Sequence, residues 1–302
     1  MSNGNLVDPT PRRLHPALPE VGPLGFGCWR LTGTDADRDH GVVEAALDAG
    51  MNLVDTADVY GLDWGGRGFG ANEEVLGRVL ADDPLLRDRV VLATKGGIVP
   101  GVPYDSSADY LRRAVDASRR RIGVDTIDLW MVHRPDPFTH PAALAETMAE
   151  LVRSGAVLAV GVSNYSPAQY DALVAHLDVA LATNQVELSA ARPDAMFDGT
   201  LDHCARDGVI PTVWSPLAGG RLLTGEGVAR SLLAILDELA ERERVDRAAV
   251  AVAFTLAHPS RPVTILGTQR PERIAAATAA LDVHLDRADV YRILSAAGVP
   301  LP

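Results

Sequence analysis

The feature that most constrains this chain is a repeated junction: a helical pattern closes on glycine, a short apolar or β-branched run follows, and the run stops on a polar residue. Gly50 leads into MNLVD (51–55), Gly123 into VDTIDLWMVH (124–133), Gly155 into AVLAVGVSN (156–164) and Gly208 into VIPTVWS (209–215). Glycine suits these positions because a helix C-terminus often needs the left-handed conformation. LGFGCWR (24–30), VVLATK (90–95), LATNQVE (181–187) and PVTILG (262–267) extend the series to eight strands. The stretches between them carry apolar residues at three-to-four spacing, as in DRDHGVVEAALDA (37–49), NEEVLGRVLA (72–81), SADYLRRAVDASRRR (107–121) and HPAALAETMAELVR (140–153). SPAQYDALVAH opens with Ser166 as N-cap, Pro167 in the first turn and Gln169 as capping-box partner.

Runs this apolar do not suit a sheet with one wet face. Alternating strands and helices with no compositional break predict a single domain over 1–302, an α/β fold of the (β/α)8 TIM-barrel type. Residues 1–20 read as an N-terminal cap, and the chain ends in an extra helix. A doubly wound sheet fits less well, because no G-x-G-x-x-G follows the first strand.

Charge narrows the function. With 28 basic against 40 acidic residues and a net charge of −12, the chain is a poor candidate for nucleic acid or anionic membranes. Its two cysteines are too few for a disulfide framework or a cysteine metal site. No apolar run approaches the ~20 residues of a membrane span, and the start lacks a signal-peptide core. The expectation is a cytoplasmic protein with a small-molecule partner; the oligomeric state is not readable.

In barrels of this type the site lies at the C-terminal ends of the strands. Those ends hold Asp55, Lys95, His133, Ser163 with Asn164, Gln185, Trp214 with Ser215, and Gly267, and Tyr60 follows Asp55 by five residues. An acid, an ammonium, an imidazole and a phenol suit carbonyl reduction. An unperturbed phenol titrates near ~10, too high for ready proton transfer at neutral pH. An adjacent ammonium is expected to lower that value. Lys95 supplies the ammonium, Asp55 holds Lys95, and His133 orients the carbonyl oxygen.

These residues sit in NLVDTADVYG, VVLATKGG and IDLWMVHRPD. With LVRSGAVLAVGVSNYSP, TNQVELS and WSPLAGGRLL, they make the chain resemble the aldo-keto reductases from GFGCWRL to its last helix. HRPDP and the YRILSAAG ending are most similar to the bacterial YdhF-type oxidoreductases. The resemblance implies reduction of an aldehyde or ketone with NADPH (NADH being the alternative cofactor), and Tyr60 as general acid. It also implies that Ser163, Asn164 and Gln185 hold the nicotinamide carboxamide and that Trp214 stacks on its ring. Ser215, Leu217, Gly219 and Arg221 would follow the pyrophosphate, while Gly267, Thr268, Arg270 and Arg273 would take the 2′-phosphate. Ala276 and Ala277 stand where many members carry a Glu-Asn pair against adenine. Trp29 and Trp64, with Tyr104 and Phe138, are candidate substrate-pocket aromatics, and the glycine-rich WGGRGFG (64–70) is a candidate gate. A competing expectation is a non-catalytic NADP-binding regulatory subunit. Metal-dependent hydrolysis and Schiff-base chemistry at Lys95 are weaker alternatives.

Overall fold

The computed structural model describes residues 4–301. Eight parallel strands close into a barrel in sequence order: β1 (Leu24–Gly27), β2 (Leu53–Asp55), β3 (Val91–Gly96), β4 (Ile127–Val132), β5 (Val157–Ser163), β6 (Leu181–Glu187), β7 (Thr212–Trp214) and β8 (Val263–Leu266). The ring closes through Leu24 opposite Thr264 and Phe26 opposite Leu266. The glycines read as helix terminators adopt left-handed backbone, with φ of 78° at Gly50, 79° at Gly123, 75° at Gly155 and 67° at Gly208. Ser166 and Gln169 form the reciprocal capping box at the start of the helix Pro167–Val174.

Two strands are shorter than their apolar runs. LGFGCWR stops being strand at Gly27, where Cys28–Arg30 form a 3₁₀ turn closed by Leu31 N donating to Cys28 O at 2.9 Å. In VIPTVWS the strand waits until Thr212, after Pro211, which has no N–H to give a ladder.

Alternation along the strands builds the barrel interior. Leu53, Val91, Ala93, Leu129, Met131, Ala159, Ala182 and Val263 form its buried apolar core. Two residues further along the same inward face come Asp55, Lys95 and His133, and four beyond Ala159 comes Ser163, so each polar residue tops an apolar stack. In β6 this parity is reset. Val160 pairs with Leu181 but Val162 pairs with Asn184, so three residues of β6 span two of β5. Such a bulge re-aims the side chains beyond it. Gly161 makes room, since a Cβ there would lie 3.0 Å from Thr183 O and 3.1 Å from Met131 Cγ.

The N-terminal arm plugs the opposite end. Leu14, Leu18 and Val21 join the interior cluster from below. Arg12 and Val21 exchange backbone hydrogen bonds of 2.8 and 2.7 Å. The Arg12 side chain, 1% exposed, donates to the carbonyl oxygens of Asp8 at 2.7 Å, Arg261 at 3.2 Å and Thr10. The extra C-terminal helix, Arg287–Ala296, opens on an Asp286–Asp289 capping box and buries Ile293 and Leu294. No helix among the described residues is long and apolar enough to cross a membrane.

Candidate active site

Lys95 reaches the mouth from the last inward position of β3 and is wholly buried. Its Nζ donates to Asp55 Oδ2 at 2.7 Å, to Thr56 O at 2.8 Å and to Tyr60 Oη at 3.3 Å. Three donors meet three acceptors, so no lone pair is left for Schiff-base chemistry. Burial presses the ammonium toward neutrality, but Asp55 and Tyr60 outweigh it and Lys95 titrates above its ordinary value. A buried pair of this kind holds only while each partner is satisfied.

Tyr60 arrives on the turn after β2. Gly61 permits that turn with φ of 110°, and a side chain there would strike Gly68 O. The Tyr60 ring lies edge-on to His133 at 5.7 Å between centroids. The phenol was expected to be lowered by Lys95. Instead burial, aided by Asp55, raises it, and Lys95 opposes this only in part. It therefore stays protonated at neutral pH, as a proton donor must. His133, placed by its N–H donating to Gly96 O at 2.8 Å, is held well below its ordinary value by burial, with Lys95 and Arg134 adding to the effect. It is a neutral imidazole, and its buried Nδ1 has no partner.

A hydrogen-bonded chain then crosses the mouth. Gln185, turned inward by the β6 bulge, donates from Nε2 to Asp55 Oδ1 at 2.9 Å. Ser163 Oγ donates to Gln185 O at 3.0 Å and accepts from Asn164 Nδ2 at 2.7 Å. Trp214 Nε1 donates to Asn164 Oδ1 at 3.0 Å. Asn164 and Ser215 hold left-handed backbone, φ 59° and 53°, a conformation non-glycine residues adopt rarely and often at functional sites.

Asp55, Tyr60, His133, Ser163, Asn164, Gln185, Trp214 and Ser215 line a cavity of about 1140 Å³ running from Trp29 to Arg270 and Arg273, with Lys95 buried beneath it. Ser215, Leu217, Gly219, Gly267 and Thr268 line its middle, with Ala276 and Ala277 beyond. Arg270 and Arg273 are exposed and form no ion pair among the described residues. The helix they introduce, Pro271–Ala277, has no side-chain N-cap.

Four expected contacts fall elsewhere. Arg221 turns back to donate to Ala218 O at 3.0 Å and does not line the cavity. Trp64 stands behind Trp29, edge-on at 5.7 Å, with Arg30 4.1 Å from its ring centroid. Tyr104 bridges Ile98, and Phe138 is 96% exposed, so neither reaches the cavity. The stretch 64–70 is tied down by Gly68 N donating to Gly61 O at 2.9 Å.

Other residues went unread in the sequence. Arg30, Arg38, Arg134 and Arg247 also line the cavity. Asp58, two residues before Tyr60, is buried with both carboxylate oxygens unpartnered. Burial and the neighbouring Glu73 push it up to about 8. Glu73 itself accepts from Thr94 Oγ1 at 2.5 Å and Arg121 Nε at 2.6 Å. The only signal for Asp58 was a second carboxylate inside NLVDTADVYG.

The model of the Aldo/keto reductase family matches residues 23–297. A 6-dehydroglucose reductase of Novosphingobium aromaticivorans is 47% identical over 289 residues, covering 93% of this chain and 94% of that protein. The oxidoreductase YdhF of Escherichia coli is 33% identical over 293 residues, with 93% and 95% covered. Among solved structures, an aldo/keto reductase from Klebsiella pneumoniae in complex with NADP and acetate superposes with a TM-score of 0.77 at 26% identity, covering 94% of each chain.

Proposed function

The chain belongs to the aldo/keto reductase family, and from that premise we propose that it reduces the aldehyde of a sugar to an alcohol in the cytoplasm, using NADPH. The observation that carries the reading is Lys95 held between Asp55 and Tyr60, with neutral His133 on the other side of the phenol. Similarity to a 6-dehydroglucose reductase supports the sugar aldehyde. The relatives' names, all oxidoreductases or reductases, weigh against the non-catalytic alternative.

The cavity fits the cofactor. Its length and the amide groups of Asn164 and Gln185 at one end suit a nicotinamide, and the unpaired Arg270 and Arg273 at the other suit a phosphate. When bound, NADPH supplies the hydride. The carbonyl oxygen sits between Tyr60 Oη and the imidazole of His133. His133, neutral, donates one hydrogen bond to that oxygen without adding a charge. Tyr60 gives it the proton as negative charge develops, and Lys95 stabilises the phenolate left behind. Asp55 keeps Lys95 charged, and Gln185 fixes Asp55. Because the Tyr60 phenol is raised, turnover in the reducing direction is expected to stay level through neutral pH and to fall only on the alkaline side.

The test is a fluorescence titration with NADPH and NADH, followed by turnover of 6-dehydroglucose. Saturable binding that favours NADPH, with NADPH consumed only when the sugar aldehyde is present, is the expected result. Binding of neither nucleotide overturns the cofactor reading, and binding without turnover overturns the substrate.

A further inference from the structure

The cations in and around the cavity differ in what already engages them, and Arg38 is an exposed side chain in the first turn of the helix Ala36–Asp48. Lys95 has spent its three N–H groups. Arg247 is bidentate to Asp237, both bonds 2.6 Å, and donates to Leu222 O at 3.0 Å. Arg30 stacks on Trp64, its guanidinium 4.1 Å from the ring centroid. Arg270 and Arg273 stand at the far end. Arg134 is different. It follows His133 directly, is half-buried and lines the carbonyl end, with its guanidinium 5.6 Å from the Trp214 ring. Among the described residues it has neither an ion-pair nor a hydrogen-bond partner.

The same end holds an exposed acceptor. Asp63 lines the cavity and receives Trp29 Nε1 on Oδ1 at 3.1 Å, which leaves Oδ2 free. Trp29, 38% exposed, holds Asp63 and lies 6.2 Å from the Tyr60 ring between centroids, and apolar Ile98 and Leu62 line the same cavity. A guanidinium only donates and a carboxylate only accepts, whereas a hydroxyl does both. An alkyl chain would leave both groups unpaired, which costs affinity. An anionic chain would gain Arg134 but meet Asp63. Neighbouring hydroxyls can use both groups.

We infer that Arg134, with the Trp29-bound Asp63, is the specificity-determining residue of the substrate subsite and grips the hydroxyls of a polyhydroxylated aldehyde through its planar fork of donors. This rests on the reading of the protein as a sugar-aldehyde reductase, and adds the residues that would make that choice. Arg134 touches the substrate away from the reacting carbon, so it governs which aldehyde is held while Tyr60 and His133 govern the chemistry.

The experiment compares kcat/KM for three aldehydes, 6-dehydroglucose, hexanal and succinic semialdehyde, in the wild type and in Arg134→Met and Asp63→Asn. The guanidinium makes no hydrogen bond or ion pair within the described fold, so Arg134→Met is expected to fold, and NADPH titration verifies an intact cofactor site. The expected result is that the preference for 6-dehydroglucose over hexanal falls about tenfold or more in Arg134→Met, mainly through KM, and by a smaller factor in Asp63→Asn. An equal loss for both aldehydes, with a shifted pH profile, overturns the inference by assigning Arg134 to His133 instead. So does a loss greatest for succinic semialdehyde, which would make the site an anion pocket. A wild type that reduces hexanal but not 6-dehydroglucose fails the sugar reading itself. A wild type that prefers 6-dehydroglucose, with an unchanged preference in both variants, fails this inference alone.

Discussion

The two ends of the barrel each bury a cation, and the contrast between them separates structure from chemistry. Arg12, under the N-terminal ends of the strands, is surrounded by backbone carbonyl oxygens and has no carboxylate hydrogen-bonded to its guanidinium. Burial pulls it down to about 10, which still leaves it charged at neutral pH. Its acceptors cannot titrate and none faces a cavity. Lys95, at the other end, is equally buried, but two of its three acceptors, Asp55 and Tyr60, are ionisable and line the cavity. Carbonyl partners hold the bottom shut; titratable partners let the top exchange a proton.

That contrast can be broken at either end. Tyr60→Phe keeps the ring and removes the proton; a loss of roughly a thousandfold in kcat is expected, with NADPH binding retained by fluorescence. Wild-type rates in that variant would remove Tyr60 from the chemistry. Arg12→Met should do the reverse, leaving carbonyl oxygens buried without donors. A loss of about 3 kcal/mol in urea unfolding is expected, with kcat of the folded fraction unchanged. If activity fell and stability did not, the two ends would not be separable in this way.

Asp58 sharpens the comparison, because it is a buried carboxyl near the mouth whose oxygens have no hydrogen-bond partner among the described residues. Its value is raised in the fold, so the folded state binds the proton more tightly than the unfolded chain. Stability on its account is therefore full below ~4 and lost as pH rises toward 8. Asp58→Asn should recover about 2 kcal/mol at pH 9 and much less near pH 4, by urea melts at the two values. The smallest effect belongs to the far end of the cavity. Arg273→Ala is expected to weaken NADPH about tenfold and NADH little, by parallel titration; equal weakening would remove the 2′-phosphate role.

Most of the fold could be read from the chain because its signals are local. A glycine that ends a helix, an apolar run and the polar residue that stops it lie within about ten positions of one another. The same locality put Asp55, Lys95 and His133 at strand ends. What escaped depends on distant partners. LATNQVE reads as an unbroken strand, so nothing in it reveals the bulge that brings Gln185 to Asp55, 130 positions away. Arg12 looks like its neighbour Arg13, which stays at the surface and pairs with Glu20. Whether Arg134 or Arg221 faces the cavity is decided by how each loop returns across the mouth. Trp64 carries the right chemistry for a pocket, but Trp29 occupies the place in front of it.

The β6 bulge has an evolutionary side. Below it the strand keeps phase with the barrel core through Leu181 and Ala182; beyond it the phase is shifted by one residue. A one-residue insertion just beyond it would bring Asn184 inward, send Gln185 out, and leave the lower layers in place. Such a strand is divided into an inherited half and an editable half, so that a single codon gained or lost could rewire the mouth without reopening the question of how the barrel folds.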